Sequence, residues 1–351
     1  MRLWSKTACL IFSMSGNTVY LSIVGAQLHR LKGHLNRSKR SAFARGTATN
    51  LKTQWQTYLA FCEYFAIYPF PATSETICLF AQMLSRSFKA PSSISNYISG
   101  VKTLHLLLEL PVTAFEGYDL KLTIRGITRT KMHCPKQAKP ITPKLLARIH
   151  DVLDHKNSVH ATMWCLFLSS FYTLARKSNM VPSRPGKFDP TKQLCRSDVR
   201  VGSNGVIFTF KWTKTVQFGQ RVLQIPVIAM PQSKLCVLNA FLNMVRLTPA
   251  ARSDPAFLLP SASGLKPVSY PFFQKFIKTA ISAIGLDPSG FSSHSFRRGG
   301  ANLAFRSNVP SELIKVQGDW ASQAYIRYLN FTLDQRLWVS TCMAESILND
   351  M

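Results

Sequence analysis

Only one stretch of the chain, residues 198–228, has the clear pattern of a β-sheet. Its sequence, DVRVGSNGVIFTFKWTKTVQFGQRVLQIPVI, is rich in β-branched and aromatic residues, with turn-forming residues at 203–205 and 217–220. This pattern predicts three antiparallel strands. Elsewhere apolar residues recur every three to four positions, which is the period of an amphipathic helix. We therefore predict a mostly α-helical protein that carries one small β-sheet.

Four amphipathic helices are predicted between residues 49 and 129, and together they form a small bundle. The second follows the capping candidates Thr73 and Ser74, and the third begins at Pro91, whose fixed φ suits a first helical turn. The polar faces of the bundle carry basic residues: Lys102, Lys121, Arg125 and Arg129. A solvated surface explains any one of them, but together with the charge of the chain they favour a DNA-binding surface.

A segment rich in proline and lysine, HCPKQAKPITPK at residues 133–144, separates this bundle from a second core. Thr142 can cap a helix that has Pro143 in its first turn, and the second core begins with this helix. We predict four parts: a basic, disordered N-terminal extension (1–45), a helical DNA-binding domain (46–131), a basic linker (132–141) and a larger, mostly helical α+β domain (142–351).

The charge of the chain predicts a polyanionic partner. Lys and Arg number 43 against 16 Asp and Glu, which gives a formal net charge of +27. Such a charge repels itself in a compact fold unless an anion shares it. Residues 27–46 carry six basic and no acidic residues, which suits an arm that contacts phosphates or a nuclear-targeting patch. The apolar stretch 7–26 is interrupted by polar residues, and we expect no membrane partner.

The eight cysteines are scattered, with neither a CxxC motif nor a Cys/His cluster at the spacing of metal ligands. Zinc and a disulfide framework are therefore not expected. Several cysteines lie inside apolar runs, where a free thiol is a small buried hydrophobe in a reducing compartment. We expect an intracellular protein without a metal or a small-molecule cofactor.

The stretch HSFRRGGAN places His294 and Arg297 three residues apart, on one face of a helix that Ser292 or Ser293 can cap. A guanidinium suits a phosphate, and an imidazole beside it can donate a hydrogen bond or carry a proton. Gly299 and the glycine after it would let another backbone approach closely. Taken alone, such a pair is more often structural than functional.

Three further segments give the pair a context: SSFYTLARKSNM and FKWTKTVQFGQR before it, and KVQGDWASQAYIRYLNF after it. The four segments, in this order, resemble the tyrosine recombinases, the phage-integrase family of DNA strand-exchange enzymes. The resemblance covers about residues 45–345. It implies a SAM-like helical core-binding domain and an α+β catalytic domain, which form a C-shaped clamp on double-stranded DNA.

The resemblance also implies the catalytic residues. Arg176 and Arg297 match the two arginines that stabilise the charge of the transition state. Lys214 matches the lysine that protonates the departing 5′ oxygen, and His294 matches the histidine that assists the nucleophile. Lys211 is the alternative to Lys214.

Tyr328 falls at the spacing of the family's nucleophile, which forms a 3′-phosphotyrosyl intermediate without a metal or nucleotide. Trp320 stands where the family has histidine or tryptophan, and would fix the approach of the tyrosine. Tyr325, three residues before Tyr328, is the alternative nucleophile. The family implies a site-specific recombinase or integrase that self-associates into a synaptic tetramer on DNA.

The sequence departs from the family pattern at Asn179, where many members carry an acidic residue. An amide lacks the charge that would hold an arginine. Two alternatives therefore remain: an enzyme of reduced activity, or a domesticated protein that binds DNA without cutting it. A type IB topoisomerase is the other alternative, because it shares this chemistry. The segments HSFRRGGA and GDWASQAYIRYL resemble recombinases of Crypton and DIRS or Ngaro mobile elements, which implies integration of such an element and a nuclear location.

Overall fold

The computed structural model describes residues 18–215, 221–329 and 333–349. The chain divides into two compact units, Met1–Pro135 and Lys136–Met351. Most of the described residues are helical and two small sheets lie in the second unit, so the predicted mostly helical fold class is confirmed. Within the described ranges, no helix has both the length and the apolar character that a membrane crossing needs.

The first unit is a helical bundle. Its helices are α1 (Thr18–Ser41), α2 (Arg45–Tyr64), α3 (Ser74–Ser87), α4 (Pro91–Leu107) and α5 (Tyr118–Lys131). Helices α2 to α5 match the four that the apolar spacing predicts, and Thr73 caps α3 by accepting a hydrogen bond from the Thr76 amide at 3.1 Å. Tyr58, Ile77 and Phe80 lie fully buried between these helices.

Helix α1 lies in the range for which the sequence predicts a disordered extension. Its described side chains are almost all exposed, including Leu28, Leu31 and Leu35. Leu, Lys, Arg and Gln are strong helix formers, which favours a helix over this range. The apolar stretch at residues 7–26 falls largely outside the described residues.

The second unit is built around one buried helix. Its helices are α6 (Pro143–Asp151), α7 (Ser158–Tyr172), α8 (Lys177–Met180), α9 (Val237–Leu247), α10 (Tyr270–Ala283), α11 (Ser293–Arg306), α12 (Ser311–Gln317) and α13 (Leu333–Asn349). A short 3₁₀ helix, Gln323–Tyr328, precedes α13. Helix α7 is buried along 161–171, in keeping with its apolar side chains on every face. Thr142 caps α6 as predicted, through the Leu145 amide at 3.2 Å.

The three predicted strands are present and antiparallel: β1 (Val199–Gly202), β2 (Gly205–Phe210) and β3 (Leu223–Ile228), in the order β1-β2-β3. Residues alternate between buried and more exposed along β2 and β3, as a sheet with one covered face requires. The predicted turn at 217–220 lies outside the described residues.

A second hairpin, β4 (Leu258–Ser261) and β5 (Gly264–Pro267), was not predicted. Its strands have four residues each and contain no β-branched residue, so the strand pattern is too weak to detect.

The end of the predicted linker packs against the second unit. The Lys139 amide donates to the Gly290 carbonyl at 2.7 Å, and the Ile141 amide donates to the Ser295 carbonyl at 3.0 Å. The side chain of Ile141 is fully buried. The boundary between the compact units falls earlier, after Pro135.

The paired glycines of HSFRRGGAN serve this packing. A Cβ on Gly299 would overlap the carbonyl oxygen of Ile141, and one on Gly300 would overlap that of Phe171. Without side chains, α11 can lie against both backbones. The glycines therefore fix the position of the helix that carries His294 and Arg297.

We expect Gly299→Ala to destabilise the second unit by about 1–3 kcal/mol, because the overlap with a backbone carbonyl forces α11 to shift. The matched control is Gly186→Ala, since a Cβ there meets nothing within 4 Å. Urea denaturation followed by circular dichroism measures both variants. Equal midpoints for the two variants would contradict the close approach.

Candidate active site

Helix α11 begins with a capping box that orients the HxxR pair. The Ser292 hydroxyl accepts a hydrogen bond from the His294 amide at 3.3 Å, and the Ser292 amide donates to the Ser295 hydroxyl at 3.0 Å. Ser292 is thus the cap, one of the two residues that the sequence offers. The helix places Arg297 in the interior and His294 at an exposed position.

Arg297 is held rigidly, with only 2% of its surface exposed. Its guanidinium donates to the carbonyl of Leu174 and, at 2.7 Å, to the carbonyl of Gly318. The same group lies 3.7 Å from the centre of the Trp320 ring, a cation–π contact. Three contacts from distant segments therefore preorganise this arginine.

Arg176 lies at the start of α8, beside the same cleft. Its Nη1 donates to Oδ2 of Asp319 at 3.1 Å, and its Nη2 donates to the Asp319 carbonyl at 2.9 Å. Both predicted arginines, Arg176 and Arg297, line one small cleft together with Asn179, Thr213 and Asp319. Arg176 and Arg297 lie 121 positions apart in the chain, and the fold brings both to this cleft.

Lys214 lies in the loop that follows β2, and its side chain is exposed. The alternative, Lys211, forms a salt bridge with the buried Asp198 at 2.7 Å. Both lysines lie beyond β2, which ends at Phe210, so the alternation of side chains along a strand does not separate them. The pairing with Asp198 distinguishes Lys211 instead. The residue before Lys214, Thr213, lines the cleft.

Asn179, where the family pattern has an acidic residue, is buried and makes a specific contact. Its side-chain amide donates to the carbonyl of Trp212 at 2.6 Å, two residues before Lys214. A carboxylate cannot donate this bond and would face the carbonyl oxygen instead. The amide therefore anchors the loop that carries Lys214.

His294 has a depressed pKa. Partial loss of hydration lowers it, and the positive charges of Arg297, Lys177 and Arg176 lower it further. Its ordinary value is about 6.5, so the neutral imidazole predominates at pH 7 and stays available as a proton acceptor as the pH falls to the lowered value. A neutral imidazole of this kind suits a group that accepts the proton of a nucleophile.

We expect Lys177→Ala to raise the pKa of His294, because it removes one of the positive charges that disfavour the imidazolium. An NMR titration of the His294 ring protons measures the change. Lys266→Ala, in β5, is the control and should leave the titration unchanged. A pKa that does not rise in Lys177→Ala would contradict this assignment of cause.

The two tyrosines of the last motif differ in what the structure describes. Tyr325 is 5% exposed, lies 6.0 Å from Trp320 between ring centres, and belongs to a small core cluster with Leu174 and Ile314. Tyr328 ends the helix Gln323–Tyr328, and its side chain lies outside the described residues. Tyr325 thus has a packing role that explains its presence.

The sequence did not predict the residues that join these segments. Asp319 accepts hydrogen bonds from Arg176 and, at 2.9 Å, from Arg221. Hydrogen bonds from Thr213 and Thr215 also reach its carboxylate. A signal existed, because an acidic residue next to Trp320 is unusual in a chain with 16 acidic residues and 43 basic ones.

The C-terminal helix α13 exposes its apolar side chains. Leu337, Thr341, Ala344 and Leu348 follow one another at three or four residues and form one stripe along this helix. Leu337 and Leu348 are 54% and 73% exposed, and Met343 and Ile347 are also exposed. Leu333 begins the helix, and its side chain lies outside the described residues. Among the described side chains of α13, the stripe is thus not covered by its own domain.

Comparisons with known proteins find relatives in sequence and in fold. No protein-family profile matches the chain. It is 22% identical over 305 residues to the integrase/recombinase XerD homolog of Selenomonas ruminantium, which covers 86% of this chain and 84% of the relative.

Solved structures share the fold. The Tn1549 transposon integrase, in complex with transposon right-end DNA, superposes with a TM-score of 0.60 at 11% identity, covering 89% of this chain and 98% of that one. The XerH site-specific recombinase, in a post-cleavage complex with palindromic difH substrate, gives 0.57 at 14% identity, covering 87% and 82%. The chain has the fold of these proteins, and the comparisons support the tyrosine recombinase and integrase family that the motifs predict.

Proposed function

We propose that this chain, with the fold of the tyrosine recombinases and integrases, is a site-specific recombinase that cuts and rejoins double-stranded DNA through a 3′-phosphotyrosyl intermediate. The observation that carries the proposal is the cleft lined by both Arg176 and Arg297. Two fixed guanidinium groups beside an exposed lysine suit a phosphodiester. The net charge of +27 suits the DNA around it.

In the proposed reaction the Tyr328 hydroxyl attacks the scissile phosphorus. The bond from phosphorus to the 5′ oxygen breaks as the bond to the tyrosine oxygen forms, so the number of phosphoester bonds is conserved. His294 receives the tyrosine proton or passes it to water, and Lys214 gives a proton to the departing 5′ oxygen. Rejoining reverses these steps with a new 5′ hydroxyl.

The arginines act on the charge of the transition state. Arg176 and Arg297 donate hydrogen bonds to the non-bridging oxygens, which gain negative charge as the tyrosine attacks. Preorganised donors of this kind contribute about 3–4 kcal/mol each, a rate factor of hundreds. Trp320 keeps the Arg297 guanidinium in place through the contact at 3.7 Å.

Replacing Lys214 by alanine is expected to slow cleavage by about 10²–10⁴-fold, the range for a lost general acid. A duplex with sulfur in place of the 5′ bridging oxygen should largely restore the rate, because a thiolate leaves without protonation. Lys211→Ala, which removes the partner of Asp198, is the matched control and should respond equally to both duplexes. Restoration in Lys211→Ala alone would reverse the two assignments.

We also propose self-association and a mobile-element role. The exposed apolar stripe of α13 suits contact with a second copy in a synaptic tetramer on DNA. The segments HSFRRGGA and GDWASQAYIRYL, which resemble those of Crypton and DIRS or Ngaro recombinases, support integration of such an element and a nuclear location.

The test uses nicked duplexes, drawn from a randomised pool and from genomic DNA that flanks the coding sequence. A nick beside the cleaved bond releases a short fragment, so a covalent complex accumulates. We expect a protein–DNA adduct that survives denaturant. Folded protein that binds these duplexes but forms no adduct would reduce the proposal to a DNA-binding protein. Relaxation of plasmids by monomers without paired sites would favour a topoisomerase.

A further inference from the structure

We propose that Asp319 is a positioning residue that holds Arg176 and the Lys214 loop together for DNA cleavage. It supplies, from the end of α12, the negative charge that the family pattern places at position 179. The inference rests on the proposed function and assigns a residue that the motifs leave without a role.

The carboxylate of Asp319 joins three separate segments. It is buried, with 4% of the residue exposed. Its Oδ2 accepts from Arg176 at 3.1 Å, and its Oδ1 accepts from Arg221 at 2.9 Å, before strand β3. Thr213, which precedes Lys214, lines the same cleft as Asp319, and the hydroxyls of Thr213 and Thr215 are close enough to lower the pKa of the carboxylate. One side chain thus connects the first arginine to the lysine-bearing loop.

This carboxylate is ionised at neutral pH. Burial by itself raises the pKa of Asp319, but the hydrogen bonds from Thr213 and Thr215 and the charge of Arg176 lower it below the ordinary value. A buried anion that accepts hydrogen bonds from two arginines is stable in place and orients those donors in return. Arg176 keeps further N–H groups for a phosphate, since a guanidinium has five.

The backbone at Asp319 supports a role for its side chain. The residue has a left-handed φ of 53°. Its amide donates to the Val316 carbonyl at 3.0 Å, and the Trp320 amide donates to the Lys315 carbonyl at 3.0 Å. This is a Schellman helix end, where glycine is the usual residue because it adopts this φ at no steric cost. Aspartate tolerates the conformation less well, so the contacts of its side chain offset that cost.

Asp319 and Trp320 are adjacent in the chain, and each of them contacts one of the two arginines. Asp319 binds Arg176 through its carboxylate, while Trp320 stacks on Arg297. The end of α12 therefore sets the relative position of both transition-state donors. The arrangement also explains why position 179 can hold an uncharged residue. The Asn179 amide donates to the Trp212 carbonyl at 2.6 Å, and Asp319 supplies the negative charge.

The test compares Asp319→Asn with the matched control Asp198→Asn. Asparagine adopts the left-handed conformation readily, so the change at 319 removes charge with little backbone strain. Asp198 is also a buried carboxylate with a lysine partner, and it lies on the 3₁₀ turn before β1. Each variant is measured for DNA affinity, thermal stability and single-turnover cleavage of two nicked duplexes, one with oxygen and one with sulfur at the 5′ bridging position.

We expect Asp319→Asn to bind DNA within about 2-fold of wild type and to cleave the oxygen duplex about 10- to 100-fold more slowly, as a misplaced catalytic group does. The sulfur duplex should recover part of this loss, because it no longer needs Lys214. Asp198→Asn should show no dependence on the leaving atom.

Two results would overturn the inference. One is cleavage by Asp319→Asn at the wild-type rate, and the other is a loss of cleavage rate that parallels a loss of thermal stability and is equal on both duplexes. Failure of the proposed function gives a different result, since wild-type protein itself would then form no adduct on either duplex.

Discussion

Replacing Tyr328 by phenylalanine is expected to abolish covalent attachment to DNA while leaving DNA affinity within about twofold. The change removes one oxygen, and that oxygen is the nucleophile in the proposed reaction. Denaturing gel electrophoresis of protein mixed with end-labelled nicked duplex measures the adduct, and a gel-shift titration measures the affinity.

Tyr325→Phe is the matched control for this result. Tyr325 is buried against Trp320 in a core cluster, and a phenyl ring preserves that packing. We therefore expect this variant to form the adduct at a rate near that of wild type. Attachment that persists in Tyr328→Phe and disappears in Tyr325→Phe would transfer the nucleophile to the earlier tyrosine.

Replacing Arg176 by alanine is expected to slow cleavage by about 10²–10³-fold, the cost of removing one preorganised donor to a transition-state oxyanion. DNA affinity should fall far less, because ground-state binding is spread over many phosphate contacts. The measurement is single-turnover cleavage at saturating protein, which separates the chemical step from binding.

Arg221→Ala is the control, because Arg221 donates to the other oxygen of Asp319 at 2.9 Å and is more exposed, at 54% of its side chain. If Arg176 acts on the phosphate directly, Arg176→Ala must lose more of the cleavage rate than Arg221→Ala, because Arg221 contacts Asp319 and is not among the residues that line the cleft. Equal losses of cleavage rate in the two variants would mean that Arg176 serves only to hold the carboxylate of Asp319 in place.

The sequence could predict the parts of the site that depend on local spacing. The serine cap in front of His294 and Arg297 predicts a helix start there, and α11 begins at Ser293 with Ser292 as its cap. The sheet was predictable because β2 and β3 alternate along their length. Both signals are contained in a few consecutive residues.

The contacts that complete the site depend on residues far apart in the chain. Arg297 donates to the carbonyl of Leu174, 123 positions away, and Arg176 binds Asp319, 143 positions away. Leu174 has no sequence pattern of its own, and Asp319 is marked only as an acidic residue beside Trp320 in a basic chain. The contact of Asn179 could not be predicted for the same reason, because its side-chain amide donates to the carbonyl of Trp212, 33 positions away.

The most direct test of the account identifies the amino acid that carries the DNA. The adduct formed on the nicked duplex is digested with nuclease and protease, and the modified peptide is sequenced by mass spectrometry. The account predicts a 3′-phosphonucleotide on Tyr328 and none on Tyr325. A nucleotide on Tyr325 or on any other residue, or a peptide map with no modified tyrosine, would contradict the account.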